Sequence, residues 1–451
     1  MNPDLSRRRD PRRRPAGLIF ALVVGAFLAG AGAAPAAGTV DRPAFGAPQR
    51  IGFASGDDWE PAIAADRFGH VYTLYKHYDI DGGGTCRGCD VHVLVQRSDD
   101  GGRTWTAPRP IAPGPAAGGQ YDSQIVVDPV DGRTVWASFL QGDNSRIAVV
   151  SSTDFGQTWS KPVIVSGPLL GYDKDTLVVR GRTIAVAYDD ELNSWVSVST
   201  DGGRHWAMHR MFAGTDAINL PLSAGGGIDS HGNLFFTWDS WDATGAVDGN
   251  GPVTLWLARS ADGGAHWTRS IIDVSGAPYA CTDCGFAFLS AQLTMAVGAD
   301  DTVYLIWNAT PGSVDGSPER VYLARSTDGG RTFSAARDVS TAPAGVEHSF
   351  PVITTGATPG DVRIAWMDMR AGAWNVFYRT STDGGRHLGP ETQVSRFAPG
   401  YPYISHAGFA LPYGDYMQLT VDGLGRTLAA WGEGPSYAGP GNIWVATGTG
   451  G

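Results

Sequence analysis

Six times this chain writes one hydrophilic turn: RSDDGGRTW (97–105), SSTDFGQTW (151–159), VSTDGGRHW (198–206), RSADGGAHW (259–267), RSTDGGRTF (325–333) and TSTDGGRHL (380–388). The turn's aspartates, 100, 154, 201, 262, 328 and 383, are spaced by 54, 47, 61, 66 and 55 residues. A recurrence at this period marks a unit that cannot bury its apolar face alone and must stack on its neighbours. Between copies lies a fuller pattern. A short apolar strand comes first (PAIAAD, SQIVVD, DTLVVR, PVITT, MQLTVD). A glycine turn leads to a second strand rich in aromatics near its end (VYTLYK, LFFTWD, VYLIWN, VRIAWM). A variable loop, a third strand, the recurring turn and a brief fourth strand complete the unit.

Seven such units, with no helical periodicity, predict an all-β chain: a seven-bladed β-propeller of four-stranded antiparallel blades. The last unit stops after its third strand at NIWVATGTGG, and FGAPQRIGFASG (45–56) reads like the fourth strand it lacks. An N-terminal strand, 45–53, is therefore expected to pair with 442–448 and close the last blade, removing an exposed edge.

The turn reads as a mechanical device. Its Asp can accept backbone N–H groups within the turn, its Gly takes a conformation other residues resist, and its aromatic buries apolar area. Alternating strand direction puts it on the face away from the long loops, where binding residues concentrate. The turn resembles the Asp-box, or bacterial neuraminidase repeat, and the chain is similar to the sialidase superfamily over most of 45–451. That resemblance implies a propeller and carbohydrate-directed chemistry. A sialidase would also bring an arginine triad, a Tyr/Glu nucleophile and an aspartic acid catalyst. Departures accompany it: sialidases have six blades, and Glu60 of DDWEPAIAAD stands where the first triad arginine is expected. Arg370 of WMDMRAGAW is the best rim arginine left.

The starts of first strands line the expected funnel with acids and aromatics. The candidates for catalysis are Glu60, Asp122, Asp175, Glu347, Arg370, Asp415 and Tyr416, with Asp173 and His348 beside them. Second-strand ends add Lys76, His77, Asp189, Asp190, Asp239, Trp241 and Asp368. Paired carboxylates across a pocket suit glycoside hydrolysis, one as acid and one as base or nucleophile. The alternative is structural: the acids cap loop amides or hold a Ca²⁺ ion, and no other cofactor is expected. DIDGGG, with Asp79 and Asp81, is only a fragment of a calcium loop.

Residues 1–36 read as a signal peptide, an arginine-rich start and an apolar run ending in AAPAAG, which leaves 37–451 as one exported domain. The net charge is −11, and residues 1–36 contribute six arginines against two aspartates. Such acidity excludes a nucleic-acid surface. No later segment is apolar enough to span a bilayer. The expected partner is an extracellular glycan or other small ligand, bound by a monomer. There are two CxxC pairs, Cys86 with Cys89 and Cys281 with Cys284. Each pair should close as a local disulfide in an exported chain. Four thiolates around zinc is the other arrangement, made less favourable by the distance between the two loops' blades.

Overall fold

The computed structural model describes residues 43–52, 57–78, 91–114, 118–142, 146–168, 172–190, 193–212, 219–241, 252–277, 291–371, 374–395, 417–433 and 442–449. Two of the candidate site residues, Asp415 and Tyr416, lie outside this set, as does the side chain of Trp241. The expected disulfides, Cys86 to Cys89 and Cys281 to Cys284, also fall there: Cys86, Cys89, Cys281 and Cys284 are all outside the described residues.

The strands form seven sheets of four, each antiparallel throughout, as the repeat predicts. Six blades run in chain order from inner to outer strand. Blade 1, for example, comprises Asp57–Ala65, Val71–Tyr78, His92–Ser98 and Arg109–Pro110. A three-residue 3-10 turn, Pro311–Ser313, is the only helical element among the described residues.

Blade 7 is closed by the far end of the chain. Gln418–Val421, Thr427–Glu433 and Asn442–Thr447 are completed by Gln49–Ile51, with Gln49 opposite Val445 and Ile51 opposite Ile443. A bridge between Phe45 and Gly448 extends the pairing. The third strand's outer edge is thereby covered.

Packing follows the second-strand aromatics. Tyr75, Phe139, Tyr188, Trp238, Trp307, Trp366 and Trp431, one per blade, are all at most 2% exposed. The buried apolar residues fall into seven clusters, one at each seam between neighbouring blades, including the seam from blade 7 back to blade 1. Burying one such ring contributes about 1.5–3 kcal/mol.

The six repeated turns share one hydrogen-bond scheme. In each, a Ser hydroxyl donates to the Asp carboxylate at 2.7–2.9 Å. The same hydroxyl accepts the second Gly (or Gly156) N–H at 2.8–2.9 Å. The Thr or His four residues after the Asp donates its N–H to that carboxylate at 2.8–3.0 Å. Gly101 donates to Gly69 of the turn joining the first two strands, so both turns share a face, and Gly202 and Gly384 repeat the contact. Arginines then stitch one blade to the next: Arg97 to Phe155 O, Arg259 to Gly329 O and Arg325 to Gly384 O. These turns are staples, and the chemistry must be sought at the opposite mouth.

Candidate functional site

Side chains of a regular strand alternate between faces, so an innermost strand would present only every second residue in register with its neighbours. In blades 1, 2, 3 and 6 that register slips near the strand's start: between Trp59 and Ala62, Tyr121 and Ser123, Asp173 and Thr176, and Ser349 and Val352. Each of these four slips holds one non-glycine residue in left-handed backbone, Glu60 (φ 51°), Asp122 (31°), Lys174 (47°) and Phe350 (51°), whereas blade 4 slips between Asn219 and Leu222 and between Ser223 and Gly225 without one among the described residues. A bulge re-aims a side chain, and left-handed backbone at such residues stores on the order of 1–3 kcal/mol, so the fold invests strain at this ring. All four occupy the same step of their strands. Tyr416 takes that step in blade 7 by sequence, outside the described residues.

The ring borders a cavity of about 370 Å³ running down the centre, lined by residues from all seven blades. Neutral polar groups such as Gln124, Thr176, Thr294 and Gln418 line much of its wall, while Asp122, Lys174, Asp175 and Asp239 supply the ionisable groups. Gln418 ties blades together across it, accepting from Ile63 N and donating to Gln124.

At the mouth, Glu60, Asp122 and Asp173 form a hydrogen-bonded chain of carboxyl groups with Asp122 in the middle. Glu60 also meets Lys76 Nζ at 2.6 Å. The Lys76 ammonium sits 4.8 Å from the centroid of Trp59 and 5.9 Å from that of Tyr121. Their environments push the three acids apart. Burial raises Glu60 to about 7 despite Lys76. Burial, followed by the charge on Asp122, raises Asp173 to about 7. Burial acts the same way on Asp122, but Lys76, Lys174 and the two flanking carboxyls outweigh it and hold Asp122 below the ordinary carboxylate value. Lys76 is raised, because Glu60 and Asp122 overcome its desolvation. Below about pH 7 the arrangement is one carboxylate between two carboxylic acids, which is a general-acid and general-base pairing in one contact chain.

The remaining candidates sit elsewhere around the mouth. Asp175 lies on the cavity wall, hydrogen-bonded by Ser138, and burial keeps its carboxyl well above the usual range. Asp239 is on the wall too, accepts from Leu293 N at 2.9 Å, and is also well raised by burial. Glu347 is outside the cavity lining, in a buried pair with Glu319, the N–H of Glu319 donating to Glu347 Oε1 at 3.0 Å. Burial takes Glu347 to about 8, and burial together with Glu347 takes Glu319 well above its ordinary value. Arg370 is held by Asp368 at 2.5 Å and by Glu391, over the ring of Phe377, and it is not among the cavity's lining residues. His348 turns Nε2 to Ser340 Oγ at 2.7 Å and Nδ1 to main-chain oxygens. Sequence reasoning overlooked Lys174 and Glu319. Lys174 lies between two named acids in YDKD, and its strand step matches that of Glu60 and Asp122. Glu319 stands in a variable loop, with no pattern to single it out.

No family model matches the sequence. It is 28% identical over 264 residues to xyloglucanase Xgh74A of Acetivibrio thermocellus, an alignment covering 53% of this chain and 28% of that protein. The aligned region is thus about a quarter of the curated relative. Among solved structures, the fold is similar to a protein of unknown function from Dyadobacter fermentans (TM-score 0.53, 15% identity, 90% of this chain and 98% of that one). It is also similar to an ulvan lyase (TM-score 0.50, 12% identity, 88% and 95%). Sialidases are among its structural neighbours, one being the Hadza microbial sialidase Hz136 (TM-score 0.47, 15% identity, 87% and 66%). At these identities the likeness is one of fold.

Proposed function

We propose that this chain is an exported, glycan-processing propeller that cleaves glycosidic bonds at the mouth of its central channel. The observation that carries the reading is the Glu60–Asp122–Asp173 chain, in which the middle acid is driven to ionise and its neighbours to stay protonated. Asp122, on the cavity wall, serves as nucleophile or base. Asp173, half-buried and thus the more reachable flanking acid, serves as proton donor. Glu60 is buried and engaged by Lys76, and it positions Asp122. A glycosidic oxygen entering beside Asp173 replaces Asp122 as acceptor of its proton, while Asp122 turns to the anomeric carbon or to a water. The xyloglucanase similarity supports carbohydrate chemistry, and the engagement of Arg370 by two carboxylates weighs against a sialidase-type grip on a ligand carboxylate by that residue.

The test is hydrolysis of an aryl-glycoside panel, xyloglucan oligosaccharides and a sialoside. Asp122→Asn and Asp173→Asn should each lower kcat/KM by about 10²–10⁴-fold. Glu60→Gln should be milder. Because the donor's value is raised to about 7, activity should fall as pH rises through 7, and Asp173→Asn should remove that limb. Unchanged activity in both Asn variants would overturn the assignment. Silence across the panel, with glycan binding retained, would make the propeller a binding platform.

A further inference from the structure

Beneath the mouth the innermost strands build a second ring, and its chemistry differs from that of the first. In each blade one innermost residue pairs with the second-strand residue just before the buried aromatic. Those residues are Gln124, Thr176, Thr294 and Gln418 in blades 2, 3, 5 and 7. Ala62, Gly225 and Val352 hold the same place in blades 1, 4 and 6. None of the seven is ionisable. The ring lies two residues beyond Asp122 on its strand, about 6 Å down the channel at the rise of an extended chain. The ionisable residues of the lining, Asp122, Lys174, Asp175 and Asp239, stand on the mouth side of it. Asp175, the nearest in sequence, is 4% exposed and turns to the Ser138 hydroxyl.

Much of the hydrogen-bonding capacity here is unspent within the protein. The Gln418 amide is used at both ends, accepting from Ile63 N and donating to Gln124 Oε1. Among the described residues the Gln124 amide nitrogen then has no acceptor, and the Thr294 hydroxyl has no partner. Two residues deeper, the Thr354 and Thr420 hydroxyls are unused as well. All four residues are partly exposed although they lie on innermost strands, so these groups open onto the cavity. Gly225 keeps one side bare. A Cβ there would stand 2.7 Å from Thr294 Oγ1 and 2.9 Å from Met295 N, so any other residue would crowd that hydroxyl. Blades 4 and 5 lie across the ring from blade 1, where the Gln418 amide takes up space. The side of the channel facing that amide is thereby left to bare backbone and an unspent hydroxyl.

We infer that this second ring is a subsite for one uncharged pyranose, the terminal sugar of the glycan, held end-on in the channel with its anomeric carbon toward Asp122. This rests on the mouth being the place of bond cleavage. Sugar hydroxyls both donate and accept, as the unspent amide and threonine groups require. A carboxylate or sulfate would meet no counter-charge among the described residues below the mouth, and burying a charge unpaired is costly. The cavity, at about 370 Å³, is near the small end of ligand sites. Seven innermost strands close round it, so a glycan enters by its end and not along its length. Cleavage is then exo: one sugar is left in the channel, and the remainder of the chain departs beside Asp173.

Binding to the full chain, followed by calorimetry and saturation-transfer NMR, tests the subsite independently of turnover. The probes are the methyl glycosides of xylose, glucose, galactose and mannose, methyl glucuronide and glucose 6-sulfate. At least one neutral pyranoside should bind at millimolar concentration, about tenfold or more tightly than the glucuronide and the sulfate. Thr294→Val deletes a hydroxyl at constant shape and Gln124→Met deletes the amide. Each should weaken that binding about fivefold. Thr294→Phe fills the ring and should abolish binding, with circular dichroism confirming the fold; should it not fold, Thr294→Val carries the test. Equal or tighter binding of either anion, neutral binding unmoved by both Thr294→Val and Gln124→Met, or no neutral pyranoside bound at millimolar concentration would overturn the inference, the last leaving the ring to water. On any oligosaccharide that is cleaved, single sugars should appear first. Internal fragments appearing first would sink the inference and leave the enzymatic reading standing. Binding that depends on Thr294 and Gln124, without cleavage of any substrate, would keep the subsite and remove the enzymatic reading.

Discussion

A carboxylic acid in dry protein stays neutral unless a partner stabilises its charge, and this chain contains both outcomes within one ring. Asp122 has two lysines in reach and ionises, whereas Glu319 and Glu347 have each other. Glu319 is 0% and Glu347 5% exposed, and Glu319 Oε1 and Glu347 Oε2 find no hydrogen-bond partner among the described residues. The consequence for stability has a definite sign. Both acids bind protons more tightly folded than unfolded, so their contribution is complete below the unfolded value near 4.3 and is lost as pH rises, through about 8 for Glu347. In that window the protein should lose about 1.4 kcal/mol per pH unit for each proton released. Glu319→Gln removes the repulsion while keeping the shape, and its thermal denaturation should depend less on pH between about pH 5 and pH 8 than that of wild type. Parallel melting curves for the two proteins across that range would show that the pair does not titrate on folding. Glu347 was visible in the sequence through its place before a first strand. Its partner was not, because pairing across a seam depends on blade geometry that no local spacing encodes.

At the scale of the element, the repeated turn was legible in its Asp, which accepts backbone N–H groups within nine residues of chain, while the Ser hydroxyl that bonds both the Asp and the Gly N–H emerged only from the structure. The bulge was not legible. Nothing in WEPAIAAD or YDSQIVVD announces that Glu60 and Asp122 adopt left-handed backbone, because the slip is set by pairing with the second strand and by the crowding of seven strands around one axis. The same division governs how the two features respond to acid. Hydrogen bonds from Thr158 and Ser152 hold Asp154 down at about 2, and the other five turn aspartates are likewise depressed. A depressed folded value means that the stabilisation is present above the unfolded value near 3.9 and disappears as pH falls through about 2. Six turns titrating together should give a steep loss of thermal stability between about pH 4 and pH 2. Asp262→Ala should lower the melting temperature at neutral pH, where the turn's bonds are intact, and should leave ligand affinity of the folded protein unchanged. If affinity fell while the melting temperature held, the staple would belong to the site.

For the whole molecule, closure is the property on which everything at the mouth depends. Seven seams share the load, and none can relax without moving its neighbours, because the ring has no free end while Gln49–Ile51 completes blade 7. Phe45 anchors this closing segment, 7% exposed, edge-on to Tyr378 of blade 6 at 5.0 Å between ring centroids. From blade 7 the path to the site is short. Gln418 on its innermost strand accepts from Ile63 N of blade 1 and donates to Gln124, two residues beyond Asp122 in blade 2. Phe45→Ala should therefore cost about 3–5 kcal/mol of stability, as loss of a buried aromatic does. A chain beginning after residue 52 should fare worse: with the edge of Asn442–Thr447 uncovered, it should self-associate as well as melt lower. Added in trans, a peptide of residues 43–52 should restore both the melting temperature and the association state of the full-length chain by refilling the outer strand. Glycan binding at the mouth should fall and recover in step with the blade, although residues 43–52 contribute nothing to the cavity lining. A truncated protein that associates no more than the full-length chain, with its melting temperature and affinity intact, would show that the ring holds without its closing strand, and that the mouth's geometry is set within blades 1 to 3 alone.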